Sequence, residues 1–312
     1  MPDVQTLRVF VAVAEKLSLT RAAEGLLLSQ SAVSHQIAKL EAEMQAELLE
    51  RRGRTVVLTR AGEHLRREAI DVLGRIDGLA AGVRTIADPE HGSLRIGATA
   101  TACQYLLPDP IREFRECFPG YALNVLPGDT AVLADALQAR QIDIAVLILD
   151  ASARRLPHQP LLTDQLGLIF PPQHPLRQKA RLAAVDLAGQ HWVMYSRSSV
   201  TGRLIERHFA KMRIDVGQPI ELGSIEAIKE LVKVGLGLGV QAKWAVRGEL
   251  AEGSLDWRPL PGPPLLREWA IARSADRPFS LAEETFVQLC RAAIRGLQND
   301  VGATRRTNSN PA

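Results

Sequence analysis

The chain has 312 residues, 46% hydrophobic and 23% charged, an ordinary globular composition with room for more than one domain. A formal charge of +3 and a pI near 8.9 exclude wholesale attraction to nucleic acid, so any such affinity must come from a local patch. No apolar run reaches the roughly 18 residues of a bilayer span, Asp3, Arg8, Glu15 and Lys16 interrupt the N-terminus, and three scattered cysteines form no CxxC pair. A cytoplasmic protein without membrane contact, disulfide framework or metal site is expected.

Three short helical patterns come first. Asp3 can cap one with the apolar face Leu7, Phe10, Val11 and Ala14, Ser18 or Thr20 a second carrying Ala22, Ala23 and Leu26, and Ser29 a third. The second and third are so close in sequence that they must cross steeply, and Ala22 and Ala23 remove the bulk that would hold them apart. This is the grammar of a helix-turn-helix.

In the third pattern, "SQSAVSHQIAKLE", Val33, Ile37, Leu40 and Met44 make a buried stripe. Ser29, Gln30, Ser31, Ser34, His35 and Gln36 crowd its first turns with short hydrogen-bonding side chains. Such side chains let a helix approach base edges: Gln30 and Gln36 can pair with adenine, Ser31 and Ser34 with phosphates or bases, and His35 with a guanine acceptor or phosphate. The bland alternative is a solvated helix start whose serines only cap. The next run, "LLERRGRTVVLTRAG", outweighs it, because Arg51, Arg52, Arg54 and Arg60 fall in ten residues without an acid. Gly53 allows a tight turn and Thr55 to Leu58 is β-branched and strand-like, so the run reads as a basic hairpin, with Arg52 and Arg54 reaching the DNA backbone or minor groove.

From "SLTRAAEGLLLSQSAVSHQIAKLE" through "AEMQAELLERRGRTVVLTRAGE" the chain resembles the winged helix-turn-helix of the LysR-type transcriptional regulators. Two residues depart from that pattern: His35 stands where many members have Arg, and Leu49 where Phe is common. The resemblance extends in domain order over nearly the whole chain. It implies a DNA-binding transcription factor without a cofactor, acting on double-stranded promoter DNA, with RNA polymerase and other copies of itself as partners, as a homodimer or homotetramer.

Thr59 can cap a long helix reaching about Ala87. Along it Leu65, Ala69, Val72, Ile76, Leu79, Val83 and Ile86 alternate in steps of four and three, a coiled-coil seam that predicts dimerisation. After "ADPEHGS" the composition shifts. "LRIGATA", a helix from about Leu106 to Cys117, "YALNVLP", a helix from Thr130 to Gln138 and "IDIAVLIL" alternate. A second set follows: "LGLIFPP", a helix near Ala183 to Ala188, "HWVMYS", a helix from Gly202 to Met212, "PIELGS" and a helix from Ile225 to Val234. "LREWAIARS" adds a strand, and Ser280 with Glu283 makes a capping box for a last helix ending near Leu297. That rhythm predicts a parallel α/β sheet. Cys290 shares a stripe with Phe286, Leu289 and Ala293 and is expected in the core, whereas a helical segment would hold Cys103 and Cys117 roughly 20 Å apart, too far to bridge.

The family resemblance implies a multidomain chain: a winged helix-turn-helix over residues 1–58, a linker helix over 59–91 and an α/β, two-lobed, periplasmic-binding-protein-like (type II) effector domain over 92–298. Lobe one would comprise 92–161 and 267–298 and lobe two 162–266, with residues 299–312 a disordered tail. A small-molecule effector, expected to be anionic, would sit between the lobes. Ligands of such sheets gather at strand ends and helix N-termini, where Thr99 and Thr101 are expected to end the first strand, Thr130 to open a helix, Ser196 to end another strand and Ser224 to cap a further helix. Arg203 could add charge.

An enzyme is the rival class. "GLGLGVQAK" lacks both GxGxxG and a GK[ST] ending and reads as a helix end turning into a strand. The seven histidines show no HExxH spacing, and no GxSxG elbow occurs. No catalytic residue is assigned.

Overall fold

The computed structural model describes residues 2–52, 55–87, 91–179, 181–274 and 279–303. The chain divides near Gly92 into two compact units, with Gln138–Gln141 grouped with the first.

In the first unit, helices α1 (Val4–Lys16), α2 (Leu19–Leu26) and α3 (Gln30–Met44) begin where short polar side chains accept backbone N–H groups: Asp3 from Thr6, Ser18 from Arg21 and Ser29 from Ala32. Each ends at a left-handed residue, Leu17, Leu27 and Gln45 respectively. Phe10 and Val13 of α1, Ala22 and Ala23 of α2, and Val33, Ile37 and Leu40 of α3 share one core with Leu48. Strands β1 (Leu49–Arg52) and β2 (Thr55–Leu58) pair antiparallel with Arg52 opposite Thr55. Glu41 on α3 anchors this hairpin by accepting the Leu48 and Leu49 N–H groups at 2.8 and 3.1 Å.

Thr59 then caps α4 (Arg60–Ala87), its Oγ1 accepting the Gly62 N–H at 3.0 Å. Gly62 is required there, because a Cβ would lie 2.0 Å from the Leu48 carbonyl oxygen. The predicted seam needs correction at its start. Ala69 and Leu73 are buried in the unit's own core and Leu65 packs against it, while Val72 is 42% exposed. Steps of four bring positions 65, 69 and 73 onto one face, so Leu65 belongs to that inward face rather than to a dimer seam.

The second unit is built on a mixed sheet. Its elements run β3 (His91–Ala98), α5 (Ala100–Tyr105), α6 (Pro108–Cys117), β4 (Gly120–Pro127), α7 (Thr130–Gln138), β5 (Ile144–Ile148), β6 (His158–Phe170), β7 (Val193–Tyr195), α8 (Val200–Met212), β8 (Ile220–Leu222), α9 (Ile225–Lys233), β9 (Gly239–Ala242), α10 (Arg247–Glu252), β10 (Asp256–Pro259), β11 (Leu265–Arg273) and α11 (Leu281–Ala303). Strands lie in the order β10-β6-β11-β5-β3-β4, with β9 also on β6 and a separate β7-β8 pair. β3 runs parallel to β5 and β7 to β8. β11 is antiparallel to β5 and β6, and β9 and β10 are antiparallel to β6. The expectation of a parallel sheet therefore holds for only part of the unit.

The antiparallel part comes from two long strands that run through both lobes. The first half of β6 pairs with the last half of β11, which in turn pairs with β5. The last residues of β6, Leu166 to Phe170, pair with β9 and β10. Only the apolar half of β6 is legible in sequence, because Pro160 interrupts the rest, where it sits opposite Ala270 at a register shift.

Thr130–Gln138 is helical as expected, and Ser280 and Glu283 form their capping box, the Ser280 N–H donating to the Glu283 carboxylate at 2.8 Å and the Glu283 N–H to Ser280 Oγ at 3.3 Å. The helix expected from Leu106 begins at Pro108, after the unforeseen α5. Thr99 consequently caps α5 and Thr101 lies in its first turn, instead of both ending a strand. Residues 184–187 make only a single 3-10 turn. α11 continues to Ala303, so the proposed tail is helical over 299–303, and 304–312 lie outside the described residues. Cys290 is 3% exposed in the core, where burial pushes its thiol up to about 12, and Cys103 and Cys117 are both free.

Candidate functional site

On α3 the buried stripe leaves the opposite face in water. Ser29, Gln30, Ser31 and His35 are exposed, and Ser29 Oγ lies 3.0 Å from Ser31 Oγ. Ser34 and Gln36 are only half-exposed, and Gln36 Oε1 is buried with no hydrogen-bond partner among the described residues. Residue 36 is three beyond Val33 and four before Leu40, both buried, so it rides the edge of the inward stripe. No sequence motif singles out Lys39. It continues the row Ser31, His35 in steps of four, is 54% exposed, and lies 3.9 Å from Asp3. Arg54, and the side chains of Arg52, Leu79 and Val83, lie outside the described residues.

In the second unit a small open cleft of about 50 Å³ lies between the lobes, where α5, α7, α8 and α9 all begin. Lobe one contributes Thr99, Thr101, Asp129, Thr130 and Ile148, and lobe two Tyr195, Ser199, Thr201, Gly223 and Ile225. Thr130 Oγ1 donates to the Ile148 carbonyl at 3.1 Å, which ties α7 to the end of β5. Thr99, Thr101 and Thr130 thus line one cleft.

Ser196, Arg203 and Ser224 do not line the cleft. Ser196 Oγ is 2.9 Å from Ser198 Oγ within a turn, and Ser224 Oγ is occupied in capping α9. Arg203 turns to the Ser198 carbonyl and to Asp150, 3.5 Å away. Ser199 and Thr201 take their place, because α8 starts at Val200 rather than Gly202. Ser199 caps it by accepting the Gly202 N–H at 3.0 Å. A Cβ on Gly202 would fall 2.2 Å from the Ser196 carbonyl oxygen, so glycine permits this close start.

No Lys or Arg is among the residues lining the cleft. Helix starts, with their N–H groups, converge on it instead, and Arg267, 1% exposed and paired with Asp164, stands behind Thr201. Its Nη1 donates to Thr201 Oγ1 at 3.0 Å, while Nε and Nη2 donate to Asp164 at 3.0 and 2.6 Å. The indoles of Trp244 and Trp269 also donate to Asp164, at 2.9 and 3.1 Å. Burial favours a neutral Arg267, but the Asp164 carboxylate overrides it and holds the guanidinium pKa above its ordinary value. Beside it, burial pushes the Tyr195 hydroxyl up to about 12 although Arg267 and Gln241 pull it down, so it remains a donor, to Gln241 Oε1 at 2.5 Å.

Among the described residues no helix is long and apolar enough to cross a membrane, and no group of His, Cys, Asp or Glu is arranged to hold a metal.

Two family models cover most of the chain: "LysR substrate binding domain" over residues 87–295 and "Bacterial regulatory helix-turn-helix protein, lysR family" over residues 4–63. The transcriptional regulator CfxR of Cupriavidus necator is 29% identical over 93% of this chain and 90% of its own length. A full-length OxyR variant from Pseudomonas aeruginosa is similar in structure with a TM-score of 0.67 and 26% identity, over 93% of this chain and 94% of that one. The regulatory domain of Synechocystis CcmR, solved in complex with 2-PG, matches with a TM-score of 0.58 and 25% identity over 64% of this chain and 96% of its own.

Proposed function

Because the chain belongs to the LysR family, in which a helix-turn-helix DNA-binding unit precedes an effector-binding one, we propose that it regulates transcription in response to a small anionic metabolite held between its lobes. The observation that carries this reading is the convergence of helix N-termini and hydroxyls on one cleft, with Arg267 behind it. Backbone N–H groups at helix starts bind anions without a free cation. Asp129 on the rim favours a ligand that also carries a donor. The CcmR regulatory domain was solved in complex with 2-PG, which makes that compound the first to try.

In this reading Gln30, Ser31 and His35 meet base edges, Ser29 and Lys39 meet phosphates, Ser34 and Gln36 contribute from the margin of the helix, and Arg52 and Arg54 of the hairpin reach the backbone or minor groove. Paired copies, joined along α4 through Val72, Ile76, Leu79 and Val83, place two recognition helices on an interrupted palindrome. Two such dimers form a homotetramer, and RNA polymerase is the downstream partner in the cytoplasm. The effector acts by binding one arrangement of the lobes more tightly than the other. The protein is a binding switch and not an enzyme.

The test is a thermal-shift titration of the full chain with 2-PG and with inorganic phosphate, since a ligand selective for the folded state raises the melting temperature by mass action. It is paired with mobility shifts on operator fragments selected from random DNA. A rise in melting temperature with an altered shift supports the proposal. Selection that yields no specific fragment, or operator binding indifferent to a broad panel of small anions, overturns it.

A further inference from the structure

Outside the cleft lining, α5 of lobe one and α9 of lobe two are tied together through side chains. Gln104 Nε2 donates to Glu226 Oε1 at 2.8 Å, and the Tyr105 hydroxyl donates to the same oxygen. Lys229 Nζ donates to the Tyr105 oxygen at 2.8 Å and also lies 2.7 Å from both Glu226 and Glu249. The Lys229 side chain is only 5% exposed, and its ammonium sits 5.3 Å from the centre of the Tyr105 ring. That ring packs edge-on against Trp244, 5.9 Å away, whose indole donates to Asp164 on the long strand β6.

Two features distinguish this tie from ordinary packing. It joins two of the four helices whose first turns line the cleft, one from each lobe, with Thr99 and Thr101 leading into α5 and Ile225 opening α9. It can also open without stranding a charge. Separating the lobes breaks the contacts of Gln104 and Tyr105, but Glu226 and Glu249 both belong to lobe two and remain on Lys229. A buried cation that lost its only partner would make opening prohibitive; here the ammonium keeps two carboxylates and the freed tyrosine hydroxyl meets water.

We propose that Tyr105, assisted by Gln104, is a reversible latch on Glu226 and Lys229 that holds α5 against α9 and keeps the cleft closed over its occupant. Tyr105 is then a positioning residue for the effector, with no direct contact to it. The retention role rests on the effector reading of the cleft, whereas the latch itself is a property of the ligand-free protein.

The experiment uses the full chain with Tyr105→Phe, which keeps the ring and removes the hydroxyl, and with the exposed Gln104→Ala. In the absence of ligand, hydrogen exchange is followed over residues 99–105 and 225–233. Tyr105→Phe is expected to speed exchange there about tenfold, with α1 to α3 unchanged. Exchange equal to wild type in both variants overturns the latch. The second arm measures association and dissociation rates of 2-PG. Tyr105→Phe is expected to raise the dissociation rate about tenfold with the association rate within a factor of two, whereas an equal fall in association rate would mark a deformed site and overturn the retention role. If wild type binds neither 2-PG nor inorganic phosphate, the fault lies with the effector reading for those probes, and the exchange arm still decides the latch.

Discussion

Asp164 and Arg267 face each other in register across β6 and β11, joined by hydrogen bonds of 3.0 and 2.6 Å with side chains 2% and 1% exposed. The ion pair sits on the two strands that run through both lobes, and the guanidinium nitrogen left over supports Thr201 in the cleft. Removing one member leaves the other charge buried alone. Arg267→Met is therefore expected to destabilise the second unit by about 3–5 kcal/mol, read from its urea transition, and adding Asp164→Asn should recover part of that loss. A single substitution costing less than about 1 kcal/mol would mean that the pair is not desolvated as described.

Thr201 accepts from Arg267, which can only donate, so its own hydroxyl proton is available to an anionic acceptor. Thr201→Val should weaken binding of an anion in the cleft, probed with 2-PG and with inorganic phosphate, roughly five- to tenfold, the worth of about 1–1.5 kcal/mol, and Thr201→Ser should restore it. Isothermal calorimetry on the three proteins checks this, and a valine variant binding as well as wild type would remove Thr201 from the site.

On α3, Gln30→Ala should lower operator affinity about five- to hundredfold, as expected for loss of a side chain paired to a base at about 1–3 kcal/mol, without changing the melting temperature. Lys39→Ala should instead weaken binding to all sequences and reduce the slope of log affinity against log salt by about 1. Mobility shifts at several salt concentrations separate the two. A Gln30 variant with unaltered sequence preference would mean that this face does not read bases.

The inward and outward faces of α4 should respond differently. Leu73→Ala empties a buried position and should cost the first unit about 2–5 kcal/mol. Val72→Glu, at a side chain 42% exposed, should leave folding nearly intact and weaken dimerisation in sedimentation equilibrium. Unchanged association would place the dimer contact elsewhere.

Acid should loosen the rim of the cleft. Burial acts to raise the pKa of Asp150, but hydrogen bonds from Ser152 and Ala153, with Arg203 nearby, hold it below its ordinary 3.8. Glu226 is likewise raised by burial and lowered further by Lys229, Tyr105 and Lys233, to a net position below 4.5. A carboxylate with a depressed folded-state pKa contributes stability that is present above its unfolded pKa and lost as pH falls through the folded one. Both ties should therefore hold at pH 6 and weaken below about pH 4, seen as faster hydrogen exchange over residues 99–105 and 200–203. Exchange that is flat from pH 6 to 3, after correction for the intrinsic rate, would contradict this.

The sequence by itself determined what is local. Asp3, Ser18, Ser29 and Thr59 cap helices because each lies within a few residues of the N–H it accepts, and the spacing of Val33, Ile37 and Leu40 records a face buried by one helix turn after another. The long resemblance to one family rests on such local patterns as well. Only the tertiary structure decided which hydroxyls share the cleft, why Arg203 serves Asp150 instead, that β6 extends back through Pro160, and that Leu65 turns inward while Val72 does not. Tyr105 and Glu226 are 121 residues apart, and no periodicity connects side chains on different helices. Their meeting depends on the direction in which β6 and β11 return through the two lobes, which is a property of strand pairing across the whole unit and not of any short stretch of chain.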